Sequence, residues 1–132
     1  MRDWLYTLKT IATTTDGQLS TPANMLQRAE TAPRGIWWLA AKRHMAPGDR
    51  IWFYFTAPYA VIAAVAEVED VPYEVQGDAD YPWRLPAALD LAATRALNGN
   101  PVPLSALSNQ HPQGVIGVRA ADLKTLLRHA GM

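Results

Sequence analysis

The segment Ile51–Thr56 constrains the fold more than any other part of the chain. It follows the turn residues Pro47-Gly48-Asp49 and alternates strictly, with Ile51, Phe53 and Phe55 on one side and Trp52, Tyr54 and Thr56 on the other. This alternation predicts a β-strand, but both of its faces are apolar or aromatic. A strand with one solvated face would carry polar residues at every second position. We therefore expect a central strand covered on both sides, or one with a side that lines a pocket, and we assign the Ile51 side to the core.

The next segment, Tyr59–Val68, predicts a second strand that forms a hairpin with the first. Four of its residues are alanines, namely Ala60, Ala63, Ala64 and Ala66. Small residues beside Trp52 and Tyr54 either accommodate those rings in the core or leave space for a ligand. Core packing is the favoured interpretation for Trp52.

The remaining patterns predict strands near both ends of the chain and short helices around them. We expect strands over Asp3–Lys9 and Val115–Val118, helices over Pro22–Glu30, Ile36–His44 and Ala121–Ala130, an extended Tyr81–Pro86 and a turn at Ser105–Leu107. Ala87–Leu97 is either a helix or a broken strand. Because strands dominate, the expected architecture is one α+β domain over residues 1–132, a small mixed barrel with helices at its edges.

Charge is balanced overall but divided locally. Twelve basic residues offset twelve acidic ones, which argues against gripping long nucleic acid mainly by counterion release. Residues 34–50 have a local charge of +3, whereas Glu67–Asp80, expected to be a loop or edge, has −6. An anionic partner should therefore meet the first region and avoid the second. The alternative is ordinary solvated charge.

Several function classes lack their sequence signatures. The chain has no cysteine, its three histidines are far apart, and it contains neither a phosphate-binding glycine loop nor a GxSxG nucleophile motif. We therefore predict no metal, no cofactor and no enzymatic activity. No signal-peptide core or membrane-length apolar run is visible, so we expect a cytoplasmic protein without a membrane partner.

Aromatic residues are concentrated in Gly35–Thr56, which holds three of the five tryptophans together with Lys42 and Arg43. Aromatic rings stack on nucleobases, and nearby basic side chains hold phosphates. The alternative is that the rings are simply core residues, because aromatic side chains dominate apolar burial.

The order of these motifs resembles the EVE domains of the PUA-like superfamily, relatives of the YTH readers. The resemblance rests on segments spread over nearly the whole chain: the opening WLYTLKT, Trp37-Trp38 before the turn Met45–Asp49, the paired strands RIWFYFT and YAVIAAVAEV, Tyr81-Pro82-Trp83-Arg84, Pro103–Leu107 and a terminal helix after Gly114. It implies a compact, curved mixed β-barrel with short peripheral helices and a C-terminal helix.

The resemblance also implies a function, the recognition of a methylated or hydroxymethylated base in DNA or RNA by an aromatic pocket. Carried over by position, the pocket residues are Lys9, Thr10, Trp37, Trp38, Tyr54 and Thr56. The doubled tryptophan leaves open whether Trp37 or Trp38 faces the base. The rim and phosphate contacts are Arg34, Lys42, Arg43, Trp83 and Arg84.

Two other functions remain as alternatives. One is a protein-interaction or regulatory module that uses an exposed tryptophan pair to bind an effector such as a nuclease. The other is an enzyme that processes RNA or a nucleotide.

Overall fold

The secondary structure of the protein comes from a computed structural model that describes residues 1–9 and 20–132. In chain order the elements are β1 (Asp3–Leu8), α1 (Pro22–Thr31), β2 (Arg34–Leu39), β3 (Arg50–Phe55), β4 (Val61–Val68), β5 (Tyr73–Glu74), β6 (Trp83–Leu89), α2 (Leu91–Gly99), β7 (Val102–Pro103), a 3₁₀ turn (Leu104–Ala106), β8 (Val115–Gly117) and α3 (Ala120–His129).

The strands of the described residues form one mixed, curled sheet. Its main order is β2-β6-β4-β3-β1-β8, with β5 paired to β6 and β7 paired to β4. β1 runs parallel to β3 and antiparallel to β8, so the first and last strands of the chain are neighbours. β2 and β8 are consequently the two edges of the main sheet, and the curl turns them toward each other.

Strand β3 lies in the middle of the sheet and is buried on both faces, as its alternation predicts. Ile51, Phe53 and Phe55 are fully buried in an inner core, inside the curl, to which α1 contributes Met25 and Ala29. Trp52 and Tyr54 belong to an outer core, to which α2 contributes Ala93 and Leu97 and α3 contributes Leu126. The removal of each such side chain from water contributes about 1.5–3 kcal/mol.

The predicted hairpin of β3 and β4 is confirmed, with Arg50 opposite Glu67 and one irregularity between Phe53 and Tyr54. Ala64 lies opposite Phe53, and both belong to the inner core. The small residues of β4 therefore accommodate rings. Trp52 is fully buried, which confirms its assignment to the core.

The predicted helix over Ile36–His44 is wrong. Residues 34–39 form strand β2, which pairs antiparallel with β6 along its whole length. Trp37 and Leu39 are buried while Ile36 and Trp38 are exposed, a period-two pattern that a short apolar run does not distinguish from a helical one. Gly35 leaves space for the Arg28 side chain, whose guanidinium lies 5.0 Å from the Trp37 ring centroid.

The other predicted elements agree with the structure. Most of their ends lie within two residues of the predicted positions. The undecided segment Ala87–Leu97 contains both alternatives, because β6 continues to Leu89 and α2 begins at Leu91. Asp90 separates them, and its side chain accepts a hydrogen bond from the Ala93 N–H at 3.0 Å. In the part of the chain that the structure describes, no helix has the length and apolarity to cross a membrane.

A buried carboxylate joins the start of the chain to the turn before β3. Asp49 accepts hydrogen bonds from the Arg2 N–H at 2.9 Å, the Trp4 indole N–H at 3.2 Å and the Ala46 N–H at 3.2 Å. Burial raises the pKa of this carboxyl, but the hydrogen bonds to its charged form outweigh burial and leave the pKa below its usual value.

We expect Asp49→Asn to lower the free energy of unfolding by about 1–3 kcal/mol, because the amide cannot accept all three donors. In the wild type, the contribution of Asp49 is present above pH ~4 and is lost as the pH falls through its folded-state pKa. Urea unfolding as a function of pH measures both effects. Glu30→Gln on the exposed side of α1 is the control, and an equal loss in both variants would contradict this role.

A candidate binding pocket at the open seam of the sheet

A pocket of about 110 Å³ lies where the curled sheet does not close. One wall is the end of β2 with the residues that follow it, and the other is formed by β1 and the start of β8. The lining comprises Tyr6, Thr7, Leu39, Ala40, Ala41, Arg43, Gly114 and Val115. We call this gap between β2 and the β1–β8 pair the seam, and the cavity in it the seam pocket. Its volume is of the same order as that of an engineered cavity of about 150 Å³ that binds benzene.

A hydrogen bond between two strands bridges the seam. The Tyr6 hydroxyl on β1 donates to the Trp38 carbonyl on β2. Burial raises the pKa of Tyr6 well above its usual value, so the hydroxyl stays neutral and keeps its proton for this bond. The Tyr6 ring lies 5.6 Å from that of Phe53, between centroids. The wall formed by Tyr6 is thus supported by the inner core on one side and by β2 on the other.

Arg43 brings a positive charge to the pocket. Its Nε donates to the Val115 carbonyl and its Nη1 to the Lys42 carbonyl, each at 3.2 Å. A guanidinium carries five N–H donors, so several are left to bind an anion. The bond to Val115 holds the segment after β2 against β8, and it fixes the charge beside the pocket.

Thr7 and Gly114 form the end of the pocket at β8. The Thr7 N–H donates to the Gly114 carbonyl at 2.9 Å, and Gly114 has a φ of +62°, a conformation that favours glycine. The Thr7 hydroxyl oxygen is buried and has no hydrogen-bond partner in the described part of the chain. Alternation along β1 directs the Thr7 side chain away from Tyr6.

The predicted aromatic cage does not form among Trp37, Trp38 and Tyr54. Trp37 is only 7% exposed and its ring packs in the inner core, 5.4 Å from Phe53. Trp38 is 41% exposed and lies on the opposite face of β2. Tyr54 is 6% exposed and lies in the outer core. Neighbouring strand residues point to opposite faces, so the doubled tryptophan cannot present both rings to one pocket.

The other predicted pocket residues lie around the end of β1 and β3. Lys9 is exposed just after β1, and the Thr56 N–H donates to the Leu8 carbonyl at 3.1 Å. Lys9 follows the lining residue Thr7 by two positions and Thr56 is bonded to the backbone of Leu8, but neither Lys9 nor Thr56 belongs to the described lining of the pocket. Thr10 lies outside the described residues.

The predicted rim residues separate into two groups. Lys42 and Arg43 follow β2, and the Lys42 ammonium lies 5.5 Å from the Trp83 ring centroid. Arg34 and Arg84 instead pair with carboxylates, with Arg34 3.2 Å from Glu69 and Arg84 3.1 Å from Asp78. Arg84 also lies 4.7 Å from the Trp38 ring centroid, on the outside of the sheet. Only the first group leaves its charge available near the pocket.

The residues that form most of the pocket were not predicted from the sequence. Tyr6, Leu39 and Val115 are ordinary strand residues in the alternating pattern, and nothing in their local sequence marks a site. They meet because the first and last strands pair and because the sheet curls. The predicted helix over Ile36–His44 also included Ala40 and Ala41, which in the structure follow the end of β2 and are not helical.

Among residues 1–9 and 20–132, no group of three histidine, aspartate or glutamate side chains is placed to hold a metal ion. The described lining of the seam pocket includes neither a carboxylate nor a histidine.

Removal of the hydroxyl that bridges the seam should destabilise the protein. We expect Tyr6→Phe to cost about 1 kcal/mol, because the Trp38 carbonyl loses its donor. The folded-state pKa of Tyr6 is raised, so its contribution is present below the unfolded-state pKa of about 10 and is lost as the pH rises above it. Denaturant unfolding should therefore show a smaller alkaline loss in the variant. Tyr59→Phe, at an exposed position, is the control, and identical curves for wild type and Tyr6→Phe would contradict the bridge.

Comparison with solved structures identifies the fold. The protein Rpa0253 from Rhodopseudomonas palustris matches with a TM-score of 0.62 at 18% identity, over 99% of this chain and 94% of that one. Atu2648 from Agrobacterium tumefaciens matches with 0.60 at 16%, over 100% and 94%. ASCH from Zymomonas mobilis matches with 0.57 at 14%, over 96% and 94%. Neither a family model nor a curated protein matches the sequence. The predicted α+β class, a curved mixed β-barrel with peripheral short helices and a C-terminal helix, is confirmed, and the barrel is an open, curled half-barrel.

Proposed function

We propose that this protein binds a strand of DNA or RNA and holds one modified base in the seam pocket, without catalysing a reaction on it. The observation that carries the proposal is the combination of a ring-sized cavity, a tyrosine wall and a fixed arginine at one place in the fold. The resemblance of the motif order to EVE domains supports the finer part of the proposal, the reading of a modification.

The pocket suits one flat, partly apolar group. Val115, Ala40 and Ala41 offer apolar surface to a ring above the buried Tyr6 and Leu39, and the ends of the surrounding strands offer backbone donors and acceptors to its polar edge. A base reaches such a site only when it leaves its stack, which costs least in a single strand or a weakened pair. Single-stranded nucleic acid is therefore the expected ligand.

This lining favours a base that carries a small alkyl group. Ala40 and Ala41 bound the pocket beside Leu39, so a methyl group placed there contacts their apolar side chains and loses part of its contact with water. The transfer of one such group from water contributes about 0.8 kcal/mol. That amount gives a preference of a few-fold over the unmodified base, and tighter packing increases it.

Charge near the pocket matches a phosphate backbone. Arg43 keeps free donors beside the cavity, and Lys42 and Lys9 are exposed near it. Few phosphates are neutralised by so small a basic surface, so binding should depend only moderately on salt. The phosphates of a short strand with one bound base are enough to pair with these few basic side chains. This small number of charge contacts agrees with the balanced charge of the chain.

Catalysis requires a group that transfers protons or attacks the substrate. In the described lining, the polar side chains that could exchange a proton or bind charge are Tyr6, whose pKa burial raises, and Arg43, whose guanidinium donates hydrogen bonds and accepts none. Neither is a general base near neutral pH. These residues support binding as the proposed activity rather than turnover.

Fluorescence anisotropy with short single-stranded oligonucleotides tests the proposal. DNA and RNA strands carry either one methylated or hydroxymethylated base or its unmodified counterpart. We expect one modified strand to bind several-fold more tightly than its counterpart. Arg43→Gln should weaken binding about tenfold for all strands, because one charged contact to phosphate is lost.

Two further variants make the test specific to the pocket. Ala41→Trp should fill the cavity and remove the preference for the modified base while Arg43 still binds the backbone. Arg95→Gln, at an exposed position on α2, is the matched control for charge and should bind like the wild type. Equal and negligible binding of every strand by the wild type would rule out the proposed function.

A further inference from the structure

In residues 1–9 and 20–132, helices cover one half of the outer surface of the sheet. α2 and α3 pack against the outer surface of β3 and β4 through residues such as Ala93, Leu97 and Leu126. α1 packs on the inner side. No described helix lies on the outer surface of β2, β6 and β5, which we call the bare face.

The bare face is apolar and aromatic. Register places Trp38 opposite Arg84, and Arg84 opposite Tyr73, so these three side chains share the outer surface. Ile36 lies two residues before Trp38 on the same surface, and Tyr81 contacts the Trp38 ring at 6.0 Å between centroids. The exposed fractions are 39% for Ile36, 41% for Trp38, 46% for Tyr73 and 45% for Tyr81.

The Trp38 ring is held in place before any partner binds. The Arg84 guanidinium lies over Trp38 and is itself fixed by Asp78 and by the Trp83 carbonyl at 3.2 Å. A side chain with a restricted rotamer loses less entropy when a partner covers it. Tryptophan, tyrosine and arginine are also the residues that contribute most to binding at protein interfaces.

The charge around the bare face is negative. Six carboxylates lie in residues 67–80, and the two arginines of this region, Arg34 and Arg84, leave a net charge of −4. Both arginines are already paired, to Glu69 and Asp78. Four further carboxylates are exposed and belong to neither pair, namely Glu67, Asp70, Glu74 and Asp80.

We propose that the bare face is a docking surface for a basic protein segment, one that places an apolar side chain between Trp38 and Tyr73 and surrounds it with lysine or arginine. Charge complementarity selects this occupant. The acidic residues repel the phosphates of a nucleic acid, which the seam pocket is proposed to bind elsewhere. A second copy of the chain using the same surface would bring two faces of like charge together.

The test selects peptides from a random display library on the wild-type protein, with counter-selection on Trp38→Glu. We expect the enriched peptides to be net basic with at least one aromatic or aliphatic anchor. One synthesised peptide is then titrated into isotope-labelled protein. It should shift the Trp38 indole and Tyr73 amide signals and should bind more weakly as salt increases.

Matched variants separate the apolar and the charged contributions. Trp38→Glu should weaken the peptide about thirtyfold, as loss of an interface hot spot does. Asp70→Asn with Glu74→Gln raises the net charge by two beside the face and should weaken the peptide through charge alone, whereas Glu30→Lys on α1 makes the same change of net charge away from the face and should leave affinity unchanged. Thermal unfolding of each variant checks that it is folded.

Three outcomes would overturn the proposal. The first is that no peptide is enriched, or that enriched peptides are acidic or neutral. The second is that single-stranded oligonucleotides shift the Trp38 and Tyr73 signals, which would assign the face to nucleic acid. The third is a dimer in sedimentation experiments that Trp38→Glu dissociates. Failure of oligonucleotide binding at the seam pocket affects none of these readouts, so the two proposals fail separately.

Discussion

The ring of Phe53 holds together the parts of the sheet that form the pocket. It is fully buried at the centre of β3, with its centroid 5.6 Å from that of Tyr6 on β1 and 5.4 Å from that of Trp37 on β2. β1 is the neighbour of β3, whereas β2 is three strands away in the other direction. One side chain therefore contacts a strand on each side of the seam. The curl, and with it the seam, depends on this aromatic contact inside the sheet.

The burial of β3 on its second face explains the rest of the architecture. Trp52 and Tyr54 require cover on the outside, and α2 and α3 provide it. These helices occupy only the half of the sheet that contains β3 and β4. The other half has exposed rings, because none of the described helices packs on the outer side of its strands. Thus the same sheet has a filled inner core, a covered outer half and an uncovered one, and the two proposed binding surfaces lie at different places on it.

The sequence predicts the centre of this fold better than its edges. The alternation in Ile51–Thr56 identifies the central strand because a strand with apolar and aromatic residues on both faces needs cover on both sides. Residues 36–39 were misinterpreted because four residues satisfy both a helical and a strand period, and pairing with β6 decides between them. The burial of Trp37 follows from that strand and could not be inferred while the segment was interpreted as a helix.

The candidate site was predicted only in part. Arg43 and Lys42 were identified from local charge, and they lie at or near the seam pocket. Tyr6, Leu39 and Val115 carry no local signal, since their proximity depends on the pairing of strands more than a hundred residues apart. The aromatic cluster in the sequence is mainly a core, and the exposed ring that it leaves, Trp38, faces away from the pocket.

The most direct test of the central claim is a crystal structure of the protein with a methylated nucleoside monophosphate bound. We expect the base in the seam pocket, against Val115 and Ala41, with the phosphate near Arg43. Density for the base on Trp38 at the outer surface, with the seam pocket unoccupied by the nucleotide, would contradict the claim.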